Sequence, residues 1–283
     1  SKKADTGSIT PEVDLSVLAR LLDAVSDWNG TAILDALKQN PTEIDPLINR
    51  IANSRAIEQR KKLIKTIDTM ESGRIEAGFV YVGLPEDAQT MDFKSAYVVH
   101  LRPRLDKRTD GFAVIFDRLD KHPRPLIIET GCLRGPDNWA GDWQSTFQFD
   151  WYARERQGSV FTIDINPSSI DSARRACSGT TSTILNDSRP ALHALRRNCK
   201  IPASLLYLDS FDLDLNDPIP STMHHATEMM AARDLISKGT IICVDDFDVP
   251  PLGAGGKGLI VDQFMASIGA RVLYSGYQKI WEV

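Results

Sequence analysis

The chain has 283 residues, 42% hydrophobic and 25% charged, with a formal net charge of −5. That composition excludes a disordered chain, a collagen and a mini-protein scaffold, and 33 Lys+Arg against 38 Asp+Glu give no global positive field to gather nucleic acid or anionic lipid. No apolar run approaches the ~20 residues that cross a bilayer, and the first residues lack the apolar core of a secretory signal, so a cytoplasmic protein without a membrane partner is expected. The cysteines, Cys132, Cys177, Cys199 and Cys243, lack zinc-ligand spacing and read as reduced thiols. The chain opens on Ser1, which suits a processed product or a part of a longer polypeptide.

Residues 1–125 hold 19 basic and 19 acidic side chains, so the whole net charge of −5 belongs to the remainder. The first part reads as mainly helical, with helices expected at 11–25, 31–38, 46–52 and 55–71. The last is basic, with Arg55, Arg60, Lys61, Lys62 and Lys65. It reads as a solvated face, with docking of an anionic partner as the alternative. Alternating runs follow at 78–82, 95–101 and 111–119, and they suit a small sheet, a lid or an elaboration of the main domain.

From residue 126 onward, short β-branched apolar runs alternate with helical segments. Strands are expected at 126–129, 160–165, 182–185, 205–208, 240–244, 271–274 and 278–283. This pattern predicts an α/β doubly wound, seven-stranded, mostly parallel sheet over residues 121–283, behind an N-terminal helical region at 1–120. Ligands of such a sheet lie beyond the carboxyl ends of its strands.

The first strand runs into Glu129-Thr130-Gly131-Cys132-Leu133-Arg134-Gly135, an ExGxxxG turn whose glycines permit close backbone approach to a ligand. The second strand closes on Asp164, placed to accept from both hydroxyls of a ribose diol. Asn186-Asp187-Ser188 closes the third, either meeting an adenine edge or capping the helix that Pro190 opens. The fourth ends in Asp209-Ser210-Phe211-Asp212 and the fifth in Asp245-Asp246. Acidic clusters at adjacent strand ends repel one another, and hard oxygen ligands with open water positions suit Mg²⁺.

These motifs, in order and spacing, together with the closing pair that ends in Tyr277-Gln278-Lys279-Ile280-Trp281, resemble the class I S-adenosylmethionine-dependent methyltransferases over residues 120–283. The nearest branch is that of the macrocin and novobiocin O-methyltransferases and the cephalosporin hydroxylase-like proteins. The resemblance implies S-adenosylmethionine held by Glu129, Gly131, Cys132, Gly135, Asp164, Asp187, Ser188 and Asp209. It also implies Mg²⁺ held by Asp209, Asp245 and Asp246. A glycine- and hydroxyl-rich segment, Gly141 to Thr146, looks like a longer counterpart of the one that opens the next helix, with Ser145 near the cofactor carboxylate. Trp139 and Trp143 either line the site or pack in the core.

The branch places its proposed base two residues after the first metal ligand, where this chain has Phe211; Asp212 is one further along. His224 and His225 are spare candidates for the base. A glycine-rich stretch, Val249 to Gly258, reads as a substrate-facing loop carrying Lys257 near an anionic or carbonyl group, with a plain connector as the alternative. The activity expected is Mg²⁺-dependent O-methylation of a sugar or another polar small molecule. The alternatives are a nucleic-acid methyltransferase using the basic 55–65 stretch, the hydroxylation for which one relative is named, and a non-catalytic adenosyl-binding module. A homo-oligomer and a larger parent chain both stay open.

Overall fold

The computed structural model describes residues 72–283. The helices expected at 11–25, 31–38, 46–52 and 55–71, with their basic stretch, lie outside the described residues. The chain divides into two units, Ser1–Gly73 and Arg74–Val283. The boundary expected near residue 120 falls inside the second unit.

Seven strands form the central sheet: β1 (Leu126–Thr130), β2 (Ser159–Asp164), β3 (Thr181–Leu185), β4 (Leu205–Leu208), β5 (Ile241–Val244), β8 (Arg271–Ser275) and β9 (Lys279–Glu282), in the order β3-β2-β1-β4-β5-β9-β8. The first five are parallel, and β9 runs antiparallel to both β5 and β8. Each expected strand is present within two residues. Two short strands, β6 (Asp248–Val249) and β7 (Gly253–Ala254), pair separately as a hairpin.

Every residue of β1, β4 and β5 is buried, which is why these segments are nearly continuous apolar runs rather than half-polar alternations. Successive side chains still divide between the two faces. Ile127, Tyr207, Ile241, Cys243 and Ile280 enter one core, while Ile128, Leu206, Leu208, Ile242, Val244 and Trp281 enter the other. Helices α1 (Thr109–Leu119) and α2 (Ser145–Glu155) supply residues to the first core. Helix α3 (Pro167–Ala176) follows β2; α4 (Ser188–Asn198), α5 (Ile219–Ala232) and α6 (Leu259–Ser267) supply the second.

The alternating runs at 78–82, 95–101 and 111–119 are helical rather than strands. Residues 72–81 are helical, Phe93–Ala96 is an α-turn continued by the π-helix Tyr97–Leu101, and 111–119 is the body of α1. The reason is visible in the buried positions: Phe112, Ile115, Phe116 and Leu119 recur at i, i+3, i+4 and i+7, which puts one apolar stripe on one helix face. Asp92 fixes the start of the earlier segment by accepting from the Ser95 N–H at 3.0 Å.

An aromatic cluster joins these helices to the sheet. Phe93 lies edge-on to Phe116 at 4.7 Å and to Trp151 of α2 at 5.6 Å, and Phe112 stacks on Tyr207 of β4 at 5.9 Å. Residues 74–119 are therefore an elaboration of the main domain, covering one face of its sheet. Two 3₁₀ turns, Arg102–Arg104 and Asp106–Arg108, connect the π-helix to α1, and they carry Arg108 to the carboxyl edge of the strands.

Candidate functional site

The chain runs outward from β1 through β2 to β3 and then crosses back to β4, so strand order reverses between β1 and β4. At that crevice the strand ladders continue into the loops: Asp209 N–H donates to the Thr130 carbonyl at 2.9 Å, and Asp245 N–H to the Leu208 carbonyl at 3.2 Å. Parallel neighbours thus place the glycine turn, Asp209 and the Asp245-Asp246 pair on one edge. A cavity of about 210 Å³ opens there, lined by Gly131, Cys132, Ser145, Asp209, Asp212 and Asp246 among the expected residues.

The glycine turn is shaped by its own hydrogen bonds. Gly131 N–H donates to Ile163 O, Cys132 N–H to Asp164 Oδ2 at 3.1 Å, Leu133 N–H to Thr146 Oγ1 at 3.0 Å and Arg134 N–H to Asp142 Oδ2 at 2.6 Å. Gly131 has φ +78°, and a Cβ there would lie 2.5 Å from the Asp209 carbonyl oxygen, so only glycine lets the β1 turn pack on the end of β4. Gly135 faces open space. Asp164 accepts the Cys132 N–H and thiol on Oδ2 and the Asn166 N–H on Oδ1, which leaves a lone pair of Oδ1 for a diol, and it does not itself line the cavity.

Glu129 does not reach the cavity. Its carboxylate is fully buried and accepts from the hydroxyls of Ser145, Thr146 and Thr162 at 2.6–2.7 Å. Ser145 spends its hydroxyl on this strut, which ties β1 to the start of α2 and to β2. Burial raises Glu129 to about 7 against the pull of those three hydroxyls. A carboxyl raised on folding binds its proton more tightly folded than unfolded. Its contribution is therefore complete below its ordinary value of 4.5 and is lost as pH rises through about 7. Chemical denaturation across that range should show a loss of about 3 kcal/mol in the natural chain, and Glu129→Gln should flatten the slope. A slope unchanged in the variant would assign the pH dependence to another group.

Several expected contacts resolve into structural roles. Asp187 is the N-cap of α4, accepting from Arg189 N–H at 2.9 Å and pairing with the Arg189 guanidinium, so capping claims the carboxylate proposed for an adenine edge. Ser188 bonds His224 at 3.1 Å, and His224 also lies 3.3 Å from Glu228 one turn along α5. His225 is fully buried, with Nδ1 on the Ser221 carbonyl at 2.7 Å, and desolvation lowers it to about 4. Neither histidine lines the cavity. Asp212 does, but it is an exposed carboxylate paired with Arg134 at 2.5 Å.

The acidic cluster forms as expected: one ligand oxygen from each of Asp209, Asp245 and Asp246 lies within 4.8 Å of the others. Two buried cations already occupy it. Arg108 Nε donates to both oxygens of Asp245 at 2.8 Å, its Nη2 also contacts Asp245, and Asp246 lies 3.2 Å from the same nitrogen. The guanidinium is held between the rings of Trp143 and Tyr277, 4.5 and 4.4 Å from their centroids. Lys257 Nζ lies 2.5 Å from Asp209 and 2.9 Å from Asp246. Burial alone would raise Asp246, but Lys257, the Tyr277 hydroxyl and Arg108 outweigh it and hold the carboxylate at about 2. Burial pushes Asp209 upward, with Lys257 opposing it. Three carboxylates and two cations leave at most one net negative charge, and five of the six carboxylate oxygens a metal would use already contact Arg108 or Lys257. As arranged, these residues do not fit Mg²⁺.

The glycine-rich stretch carrying Lys257 is fastened to the strand ends. Gly255 N–H donates to Phe247 O, Lys257 N–H to Asp246 O, and the Thr222 hydroxyl to Gly256 O at 2.6 Å. The anionic group met by Lys257 is thus the protein's own cluster. Sequence reasoning missed Arg108, which lies in the region set aside as accessory, and it gave Tyr277 no role beyond the closing strand pair.

Among the described residues, no helix is long and apolar enough to cross a membrane. No known family profile and no curated protein matches the chain. Among solved structures, it is similar to the MycE methyltransferase of the mycinamycin biosynthetic pathway in complex with Mg, SAH and mycinamycin VI. That match has 14% identity and a TM-score of 0.46, covering 68% of this chain and 54% of that one, so the chain spans about half of MycE. CalS11, a TDP-rhamnose 3′-O-methyltransferase of calicheamicin biosynthesis, matches at 14% identity and TM-score 0.42 over 76% of this chain and 93% of that one. The SAH-bound Podospora anserina methyltransferase PaMTH1 matches at 17% identity and TM-score 0.43 over 77% and 95%.

Proposed function

We propose that the chain is an S-adenosylmethionine-dependent O-methyltransferase acting on a hydroxyl of a sugar or another polar small molecule. The observation that carries this reading is one edge of one sheet. At the β1/β4 reversal, a glycine turn and the carboxylates of Asp209 and Asp246, from the ends of β4 and β5, line a single cavity, and Asp164 at the end of β2 is bonded to the glycine turn. The sequence resemblance to class I methyltransferases follows the same motifs in the same order.

When bound, S-adenosylmethionine supplies an electrophilic methyl group: the C–S bond breaks with its electron pair kept on sulfur, and a C–O bond forms to the acceptor. Asp164 would hold the ribose diol. The cavity walls, which include Lys107, Arg134, Asp142 and Asp212, are charged and suit a polar acceptor rather than an apolar one. Asp209 lines the cavity, and burial raises its affinity for a proton, so it is the base that takes the hydroxyl proton as the C–O bond forms. Asp246, held at about 2, is a much weaker base. Alignment of acceptor and donor supplies the rest of the acceleration. Calorimetric titration of the full chain with S-adenosylhomocysteine tests the reading.

A further inference from the structure

We propose that Lys257 is the built-in cation of this site: its ammonium group takes the place between Asp209 and Asp246 that a divalent ion would occupy, and methyl transfer proceeds without a metal. The metal-free activity rests on the methyltransferase reading; the claim that lysine excludes a divalent ion does not.

An all-carboxylate cluster at converging strand ends needs a cation, and this chain provides it covalently. Lys257 is 1% exposed, and its Nζ contacts Asp209 and Asp246 at 2.5 and 2.9 Å. The backbone beneath it is shaped to deliver the side chain. Gly256 has φ +40°, and a Cβ there would lie 2.0 Å from the Asp246 carbonyl oxygen, so the loop packs directly on the strand end. Lys257 N–H then donates to that same carbonyl at 3.2 Å.

A divalent ion would have to expel the ammonium group from between its two carboxylates. It would also compete with Arg108 for Asp245, whose side chain is fully buried. An expelled lysine would lose both of its charge partners, which is the costly case for a buried ion. An ammonium group has three donors. Asp209 and Asp246 take two, and the third is left for an acceptor oxygen in the cavity that Lys257 lines. There it would stabilise negative charge developing on that oxygen.

The test reads metal directly. Mn²⁺ added to the full chain, dialysed against EDTA, is followed by its paramagnetic resonance signal, with labelled methyl transfer measured in parallel. The natural protein should leave the Mn²⁺ signal that of the free ion and should transfer methyl groups in EDTA. Lys257→Ala, and Lys257→Gln as a bulkier replacement that keeps the core filled, should bind Mn²⁺ roughly 100-fold more tightly. Mn²⁺ binding by the natural protein that Asp246→Asn abolishes would overturn the proposal. So would EDTA-silenced activity restored by Mg²⁺, or folded lysine variants that gain no Mn²⁺ affinity. A chain that binds no S-adenosylhomocysteine would remove the methyltransferase reading, while the Mn²⁺ signal still decides whether lysine excludes the metal.

Discussion

Asp245→Ala should destabilise the fold by about 3–5 kcal/mol, the range seen when one member of a buried ion pair is removed. Asp245 is fully buried and Arg108 is 5% exposed, and the two are joined through both carboxylate oxygens. Without Asp245 the guanidinium stays pinned between Trp143 and Tyr277 with only Asp246 nearby. Urea denaturation measures the loss. Asp262→Ala, which removes a partly exposed partner of Lys279, should cost no more than about 1 kcal/mol. The double variant with Arg108→Ala should recover part of the Asp245→Ala loss, because no lone cation is then left buried. A loss below about 1 kcal/mol for Asp245→Ala would mean that the pair contributes nothing beyond an exposed one.

The second large effect is on rate. Asp209→Asn keeps an oxygen for Lys257 but cannot accept a proton. The turnover number should fall by about 10²–10⁴, the usual contribution of a positioned general base, while affinity for S-adenosylhomocysteine changes little. Activity within about tenfold of the natural chain would place the base elsewhere, with Asp212 the next carboxylate lining the cavity. Asp209 and Asp245 thus fail in different ways, one in turnover and one in stability, although their carboxylates share a cluster.

How much of this was legible in the sequence follows from the range of the forces involved. The sheet was readable because buried parallel strands are short apolar runs, and Leu205–Leu208 was bounded to the residue. The convergence of Asp209 with Asp245 and Asp246 was readable too, since parallel neighbours bring their carboxyl ends to one edge. The runs at 95–101 and 111–119 leave sheet, lid and elaboration open because short apolar stretches satisfy period two and period 3.6 about equally, and only the aromatic cluster on the sheet decides for helices that elaborate the main domain. Asp187 had two local readings, and the structure shows it capping α4. The cations were hidden for a different reason. Arg108 meets Asp245 across 137 positions, and nothing near Lys107-Arg108 in the chain hints at a buried partner. The sequence points Lys257 at an anionic or carbonyl group, but only folding shows that the group is the cluster itself. The sequence therefore displays the carboxylates of the site and conceals which cations pair with them, which is why a metal looked necessary from sequence alone.

The central claim is that the crevice between β1 and β4 holds S-adenosylmethionine, and calorimetric titration of S-adenosylhomocysteine into the full chain tests it most directly. One site per chain is expected, weakened by Asp164→Ala and unaffected by EDTA. Absence of heat at millimolar ligand, or binding that Asp164→Ala leaves unchanged, would contradict the account.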